Sequence, residues 1–139
     1  MKFKVKKFYS DVILPSYSHE ADAAFDVYSR EDKTLAPNER HVFKLGFAAE
    51  FDPGFVCHVW DRSGLAAKNG LTTLAGVIDA NYRHEYGVVM LNTSHDPVEI
   101  KKGDRIAQMI IQKIEHVDIV ESAELSSSER VGGFGSTGK

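Results

Sequence analysis

Long apolar runs are missing from this chain. None approaches the roughly 20 residues needed to cross a bilayer, so the sequence reads as a soluble protein with no membrane partner. Cysteine is nearly missing as well. The single Cys57 cannot form an internal disulfide, which argues against a disulfide-stapled secreted scaffold and suits a reducing cytoplasm. Flanked by Val56 and His58 in a strand-like run, it reads as a small buried side chain rather than a nucleophile. A strong excess of either charge is also absent. Seventeen basic residues stand against twenty acidic ones, a net charge of −3, and that leaves no electrostatic footprint for nucleic acid or an anionic membrane surface. Any phosphate binding must therefore be local. The six histidines show no zinc-binding spacing. The N-terminal MKFKVKKFYSDVILP lacks the continuous apolar core of a signal peptide.

What is present fits one β-rich domain. Domains most often run about 100 to 150 residues, and this chain has 139 with no linker-like boundary. Lys2 to Phe8, Ala23 to Ser29, His41 to Phe51, Phe55 to Trp60, Leu71 to Ile78, Arg105 to Ile114 and Val117 to Val120 all have strand character. Phe55 to Trp60 is apolar enough to be buried on both faces. Pro37-Asn38, Asp52-Pro53-Gly54 and Lys101 to Asp104 punctuate turns. Leu65, Ala66 and Ala67 followed by Asn69-Gly70 read as one short helix with a glycine stop. Nine or ten short strands with almost no helix predict an all-β, single-domain, jelly-roll-like fold or distorted β-barrel spanning 1–121. From Ser122 the chain turns to Ser, Glu and Gly, and 122–139 reads as a mobile glycine-rich arm.

The stretch GVIDANYRHEYGVVMLN, Gly76 to Asn92, reads as a hairpin: two β-branched runs flank a polar segment between glycines. Asp79, Tyr82, Arg83 and Glu85 are concentrated there, and loops on rigid scaffolds often carry chemistry. Asp79 is a candidate catalytic base. On this stretch alone the commoner reading is a turn-capping Asp at a strand end, and the motifs that accompany the stretch reverse that preference. The contiguous Ser94-His95-Asp96 is no triad, because triads are assembled from residues distant in sequence. Gly133 to Lys139 follows most of a P-loop pattern but has no Ser or Thr and no helix after the Lys, so a P-loop nucleotidase is set aside.

Four further segments accompany that hairpin: AAFDVYS at 23–29, DRSGLA at 61–66, GDRIAQM at 103–109 and GGFGSTGK at 132–139. In type, order and spacing the five resemble the five motifs of the trimeric deoxyuridine triphosphatases (dUTPases), and the resemblance runs from Ala23 to the last residue. It implies a dUTP diphosphatase that releases dUMP and pyrophosphate, needs magnesium, and works as a homotrimer with shared active sites. Asp79 would act as the base that orients and deprotonates the water attacking the α-phosphorus. Tyr82 would pack under the sugar and exclude a ribonucleotide. Backbone groups of Gly76, Val77, Ile78 and Gly87 would read the uracil edge. Cytosine would fail there because its donor pattern is reversed, leaving buried groups unpaired.

Phosphate contacts would come from Arg62, whose planar fork suits phosphate oxygens, from Ser63 and Gly64, and from Gln108. Asp104 and Arg105 would be largely structural. The resemblance implies that Asp26 faces the magnesium ion through water, as a hard cation that keeps part of its hydration allows. From the arm, Arg130 would meet the γ-phosphate, Phe134 would cover the uracil ring, and Gly135, Ser136 and Thr137 would wrap the triphosphate. The chain departs from the family pattern at Ala24 (usually Gly), Asp61 (usually Pro), Asn81 (usually Asp) and His84 (usually Gly). It also departs at Arg130, which stands four rather than five positions before the Phe. Two other functions fit less of the sequence. One is a dCTP deaminase or bifunctional relative of the same fold, sharing the Arg-Ser-Gly corner; the other is a nucleotide-gated interaction module signalling through the arm.

Overall fold

The structure, a computed structural model, describes residues 1–129 and Gly132. Eleven strands and one helix are found among them: β1 (Lys4–Lys7), β2 (Phe25–Tyr28), β3 (Lys33–Leu35), β4 (Arg40–Lys44), β5 (Phe47–Glu50), β6 (Phe55–Trp60), α1 (Ser63–Asn69), β7 (Leu71–Leu74), β8 (Val77–Asp79), β9 (Gly87–Asn92), β10 (Val98–Ile100) and β11 (Arg105–Lys113). They pair as four antiparallel sheets, β1-β5, β10-β3, β2-β11-β6-β8 and β4-β9-β7. The arrangement is the expected all-β one with a single short helix, and the ladders do not close into one barrel. No helix among the described residues is long and apolar enough to cross a membrane.

The ladders enclose one apolar core in which Phe43, Phe47, Leu35, Met90, Ile106 and Met109 are fully buried. Alternation accounts for it. In β2 the inward Phe25 and Val27 are buried while Asp26 and Tyr28 face out, and β9 shows the same period-two pattern. Cys57 is fully buried in this core, and burial pushes its thiol pKa up to about 12. The expectation of an inert packing cysteine holds.

Five sequence expectations are corrected. His41 to Phe51 is two strands, because Gly46 (φ 75°) breaks the run and lets β5 turn to pair with β1. Leu71 to Ile78 is likewise two strands, separated by Ala75 (φ 62°) and Gly76 (φ 113°). That double turn carries the chain from one sheet into another, so the stretch from Gly76 is not a paired hairpin. β8 adds to β6, and β9 pairs with β7 and β4. Val117 to Val120 forms no strand: Val117, Ile119 and Val120 are exposed, and their backbone has no neighbouring strand edge to pair with among the described residues. Finally, β6 is not buried throughout, since Trp60 at its end is 56% exposed. The three-residue strands β3 and β10 were not anticipated.

Candidate active site

β6 is the axis of the site. At its C-terminal end the chain leaves the sheet through Asp61 and Arg62 and enters α1, where Arg62 is the N-cap residue without a side-chain capping bond. The first-turn amides of a helix have no intrahelical acceptor, and Gly64 has open space where a side chain would stand. α1 ends as expected at Gly70, in the left-handed conformation (φ 65°), with its N–H donating to Ala66 O at 3.1 Å.

Arg62 is held on two sides. Its Nε lies 3.0 Å from Asp26 Oδ1, and its Nη1 donates to the Arg105 carbonyl at 3.1 Å. Asp26 also accepts from Ser18 Oγ (3.0 Å) and Arg105 Nη1 (3.3 Å) on Oδ2. Gln108 donates from Nε2 to the Asp61 carbonyl at 2.7 Å. These contacts bring Asp26, Arg62, Ser63, Gly64 and Gln108 together around a polar cleft of ≈ 420 Å³. Ser18 and Asp22 line it too. The sequence reading missed both, and the only signal available was their place in the polar loop before β2.

The remaining candidates gather around a second, more apolar cleft of ≈ 230 Å³, lined by Gly76, Val77, Ile78, Asp79, Tyr82 and Gly87. Its floor is Tyr86, which the sequence reading did not single out. Tyr86 is fully buried below Tyr82, with ring centroids 5.8 Å apart, and its hydroxyl has no hydrogen-bond partner among the described residues. Burial, with Cys57 nearby, drives that hydroxyl's pKa well above the usual phenol range. An added side chain would be crowded at two of the lining glycines, and glycine is required at Gly76. A Cβ on Gly76 would stand 2.8 Å from the Val59 carbonyl, and one on Gly87 would stand 3.3 Å from Val42 Cγ1. Glu85 belongs to neither cleft; its Oε1 accepts from the Gly46 N–H at 2.9 Å and braces the turn between β4 and β5. Ser94 Oγ lies 2.7 Å from Asn92 Oδ1, a local loop bond, in keeping with the rejected triad.

The two clefts do not merge. Asp26, Gln108 and Trp60 stand in register across β2, β11 and β6, whereas Asp79 on β8 pairs with Val56, four residues back along β6. At ~4.8 Å between strands and ~3.3 Å per residue, that offset is about 14 Å by 13 Å, a diagonal of roughly 19 Å between the two Asp Cα atoms. Arg130, Phe134, Gly135, Ser136 and Thr137 lie outside the described residues.

The family model for dUTPase matches residues 10–138. The chain belongs to the dUTPase family. It is 44% identical to the deoxyuridine 5'-triphosphate nucleotidohydrolase of Nautilia profundicola over the whole of both chains, and 42% identical to that of Clostridium tetani over 98% of this chain and 96% of the other. A dUTPase of Staphylococcus bacteriophage 80alpha, solved with dUpNHpp, superposes with a TM-score of 0.89 at 28% identity, covering 99% of this chain and 98% of that one. The phage phi11 dUTPase, described with a structural Mg(II) ion, has the same fold at a TM-score of 0.85 and 24% identity over 91% of this chain and 100% of that one.

Proposed function

We propose that this dUTPase-family protein hydrolyses dUTP to dUMP and pyrophosphate in the cytoplasm, with Asp79 as the base that aligns and deprotonates the attacking water. The observation that carries this reading is the division of labour between the two clefts. One is built of main-chain edges, an aromatic ring and one exposed carboxylate. The other is built of a guanidinium, an amide, two hydroxyls and a helix start, with the carboxylates of Asp22 and Asp26 beside them. In the first, Tyr82 supports the sugar, while backbone at Gly76, Val77, Ile78 and Gly87 pairs with the base edge. In the second, Arg62, Ser63, Gly64 and Gln108 bind the phosphate chain, where charge-assisted bonds from Arg are strong. The arm residues Arg130, Phe134, Gly135, Ser136 and Thr137 are proposed to complete the enclosure.

Magnesium fits the polar cleft in one way only. Ser18, Asp22 and Asp26 offer hard oxygen donors there, but Asp26 already accepts from two arginines, and no group of three or more His, Cys, Asp or Glu that could hold a metal occurs among the described residues. Such a set suits a cation that arrives on the phosphates and keeps waters, held through Asp26. When bound, magnesium supplies neutralisation of phosphate charge.

The diagonal of roughly 19 Å, estimated from strand spacings, is too long for one nucleotide to have its α-phosphorus beside Asp79 and its phosphate oxygens on the same protomer's Asp26. The reading therefore requires a second copy, whose polar cleft faces the first copy's Asp79, and it favours a homotrimer with shared sites. The outer face between the two corners supports that docking. It exposes Trp60 (56%) and Val77 (69%), and exposed apolar patches of this kind mark interaction sites.

The test is direct. Purified protein with dUTP and magnesium is expected to release pyrophosphate, to spare dTTP and to release no ammonia from dCTP. Asp79→Asn should lower kcat by at least about a thousandfold, a general base together with its orienting role, while a non-hydrolysable dUTP analogue still binds. Turnover of dUTP by Asp79→Asn at the wild-type rate would remove Asp79 from this role.

A further inference from the structure

The residue between β6 and the polar cleft is unusual for its position. Asp61 brings a negative charge to the threshold of a cleft to which Arg62, Ser63, Gly64 and Gln108 bring anion-binding groups, yet it does not line that cleft. Its carboxylate turns away into β7. Oδ1 accepts from the Thr73 N–H (2.5 Å) and Thr73 Oγ1 (2.7 Å), and Oδ2 accepts from Thr72 Oγ1 (2.9 Å). Its main-chain carbonyl meanwhile accepts from Gln108 Nε2 at 2.7 Å. One residue thus ties three elements together. The side chain fastens the start of the α1 turn to β7, and the carbonyl takes one Nε2 N–H of Gln108 and fixes its rotamer, which leaves the amide a second N–H to donate.

Three donors on one carboxylate are more than a passive turn requires. Bonds to an ionised acceptor are the stronger kind, and those from Thr72 and Thr73 fasten the turn to a strand that is itself anchored by pairing with β9. We propose that Asp61 is a positioning residue for the phosphate-binding corner, locking the 61–63 turn to β7 so that Arg62, Ser63 and Gln108 are set before the nucleotide arrives. Asp61 touches no phosphate itself. Its effect is preorganisation, which lowers the ordering cost of binding. The inference rests on the phosphate role given above to the polar cleft, but the lock itself is a property of the fold.

The experiment compares wild type, Asp61→Ala and Asp61→Asn in three measurements. The first is amide exchange at Thr73, whose N–H points at the carboxylate. The second is calorimetric affinity for the imido analogue of dUTP with magnesium. The third is affinity for dUMP, which leaves most of the polar cleft empty. Asp61→Ala is expected to speed Thr73 exchange and to weaken the imido analogue about tenfold, the scale of one charge-assisted hydrogen bond. Its affinity for dUMP should stay within about twofold of wild type, since the dUMP cleft is not touched. Asp61→Asn, which keeps an acceptor for Thr73, should recover most of the analogue affinity.

Equal loss for the analogue and dUMP, or Asn behaving like Ala, would overturn the proposal in favour of a merely structural role. Unchanged analogue affinity in Asp61→Ala would overturn it outright. A wild-type protein that turns over no dUTP, while Asp61→Ala speeds Thr73 exchange and weakens the analogue as described, would leave the lock standing and refute the catalytic reading instead.

Discussion

Gly76 is the position where backbone strain and close approach coincide, and Gly76→Ala measures both. Its φ of 113° is one that side-chain-bearing residues rarely adopt, and an added Cβ would meet the Val59 carbonyl at 2.8 Å. Forcing such a φ costs about 1–3 kcal/mol, and overpacking adds about 1–3 kcal/mol more where the neighbour is backbone and cannot swing aside. The neighbour here is also a ladder partner, since the Val59 N–H donates to the Gly76 carbonyl at 2.8 Å. Relaxation must therefore push β8 away from β6 and take Val77, Ile78 and Asp79 with it.

We expect Gly76→Ala to lose about 3 kcal/mol of stability, the two costs combined after partial relaxation. It should also lower kcat/KM for dUTP by roughly a hundredfold, as expected when a catalytic group moves by about 1 Å. Gly54→Ala is the control: its φ is 83°, but nothing lies within 4 Å of the added Cβ, so it loses only the conformational part. Urea denaturation at one fixed protein concentration, because association contributes to apparent stability, together with steady-state pyrophosphate release, reads both effects. A Gly76→Ala protein within about 0.5 kcal/mol of Gly54→Ala, the range over which surface changes usually fall, would refute the argument. So would unaltered kinetics.

Tyr86 and Cys57 yield two further expectations. Tyr86→Phe removes a buried hydroxyl that has no partner among the described residues, so it should leave stability unchanged or raise it by up to about 1 kcal/mol in the same urea assay; a clear loss would refute that expectation. Cys57 should not react with a thiol reagent at pH 8 until the protein is unfolded. Because its pKa rises from 9.0 to about 12 on folding, the folded thiol keeps a proton that the unfolded one releases. Its contribution is therefore fully present below pH 9 and falls as pH climbs from 9 towards 12, by at most about 1.4 kcal/mol per pH unit. Cys57→Val should flatten that part of the stability curve, and an unchanged slope would contradict the burial argument.

Local features were legible in the sequence, and non-local ones were not. β2, β6, β11, the Gly70 helix stop and the Asp52-Pro53-Gly54 turn depend on residues within one element, and all stand where the pattern puts them. The breaks at Gly46 and Ala75–Gly76 interrupt runs whose alternation continues on both sides, so nothing in the period marks them. Ala75 hides its positive φ entirely, because it is neither Gly nor Asn. β3 and β10 are three residues each and exist because they have each other. Val117 to Val120 has the composition of a strand but no edge to pair with among the described residues.

The site divides along the same line. Eleven predicted residues do line a cleft, because their motifs specify local turns. That they line two clefts follows from the order β2-β11-β6-β8, which no segment encodes by itself. Asp61 could be seen as a departure from the family pattern, but its work could not, since Thr72 and Thr73 lie on another strand.

The separation of the two clefts across one sheet has a genetic corollary. On the shared-site reading, a chain crippled at Asp26 and another crippled at Asp79 would each be inert as a pure population. Co-expressed, they would form mixed assemblies in which some catalytic centres draw only on undamaged corners. Two recessive lesions in a single gene could then rescue one another, and a chain crippled at both corners would spoil the centres it shares with healthy neighbours.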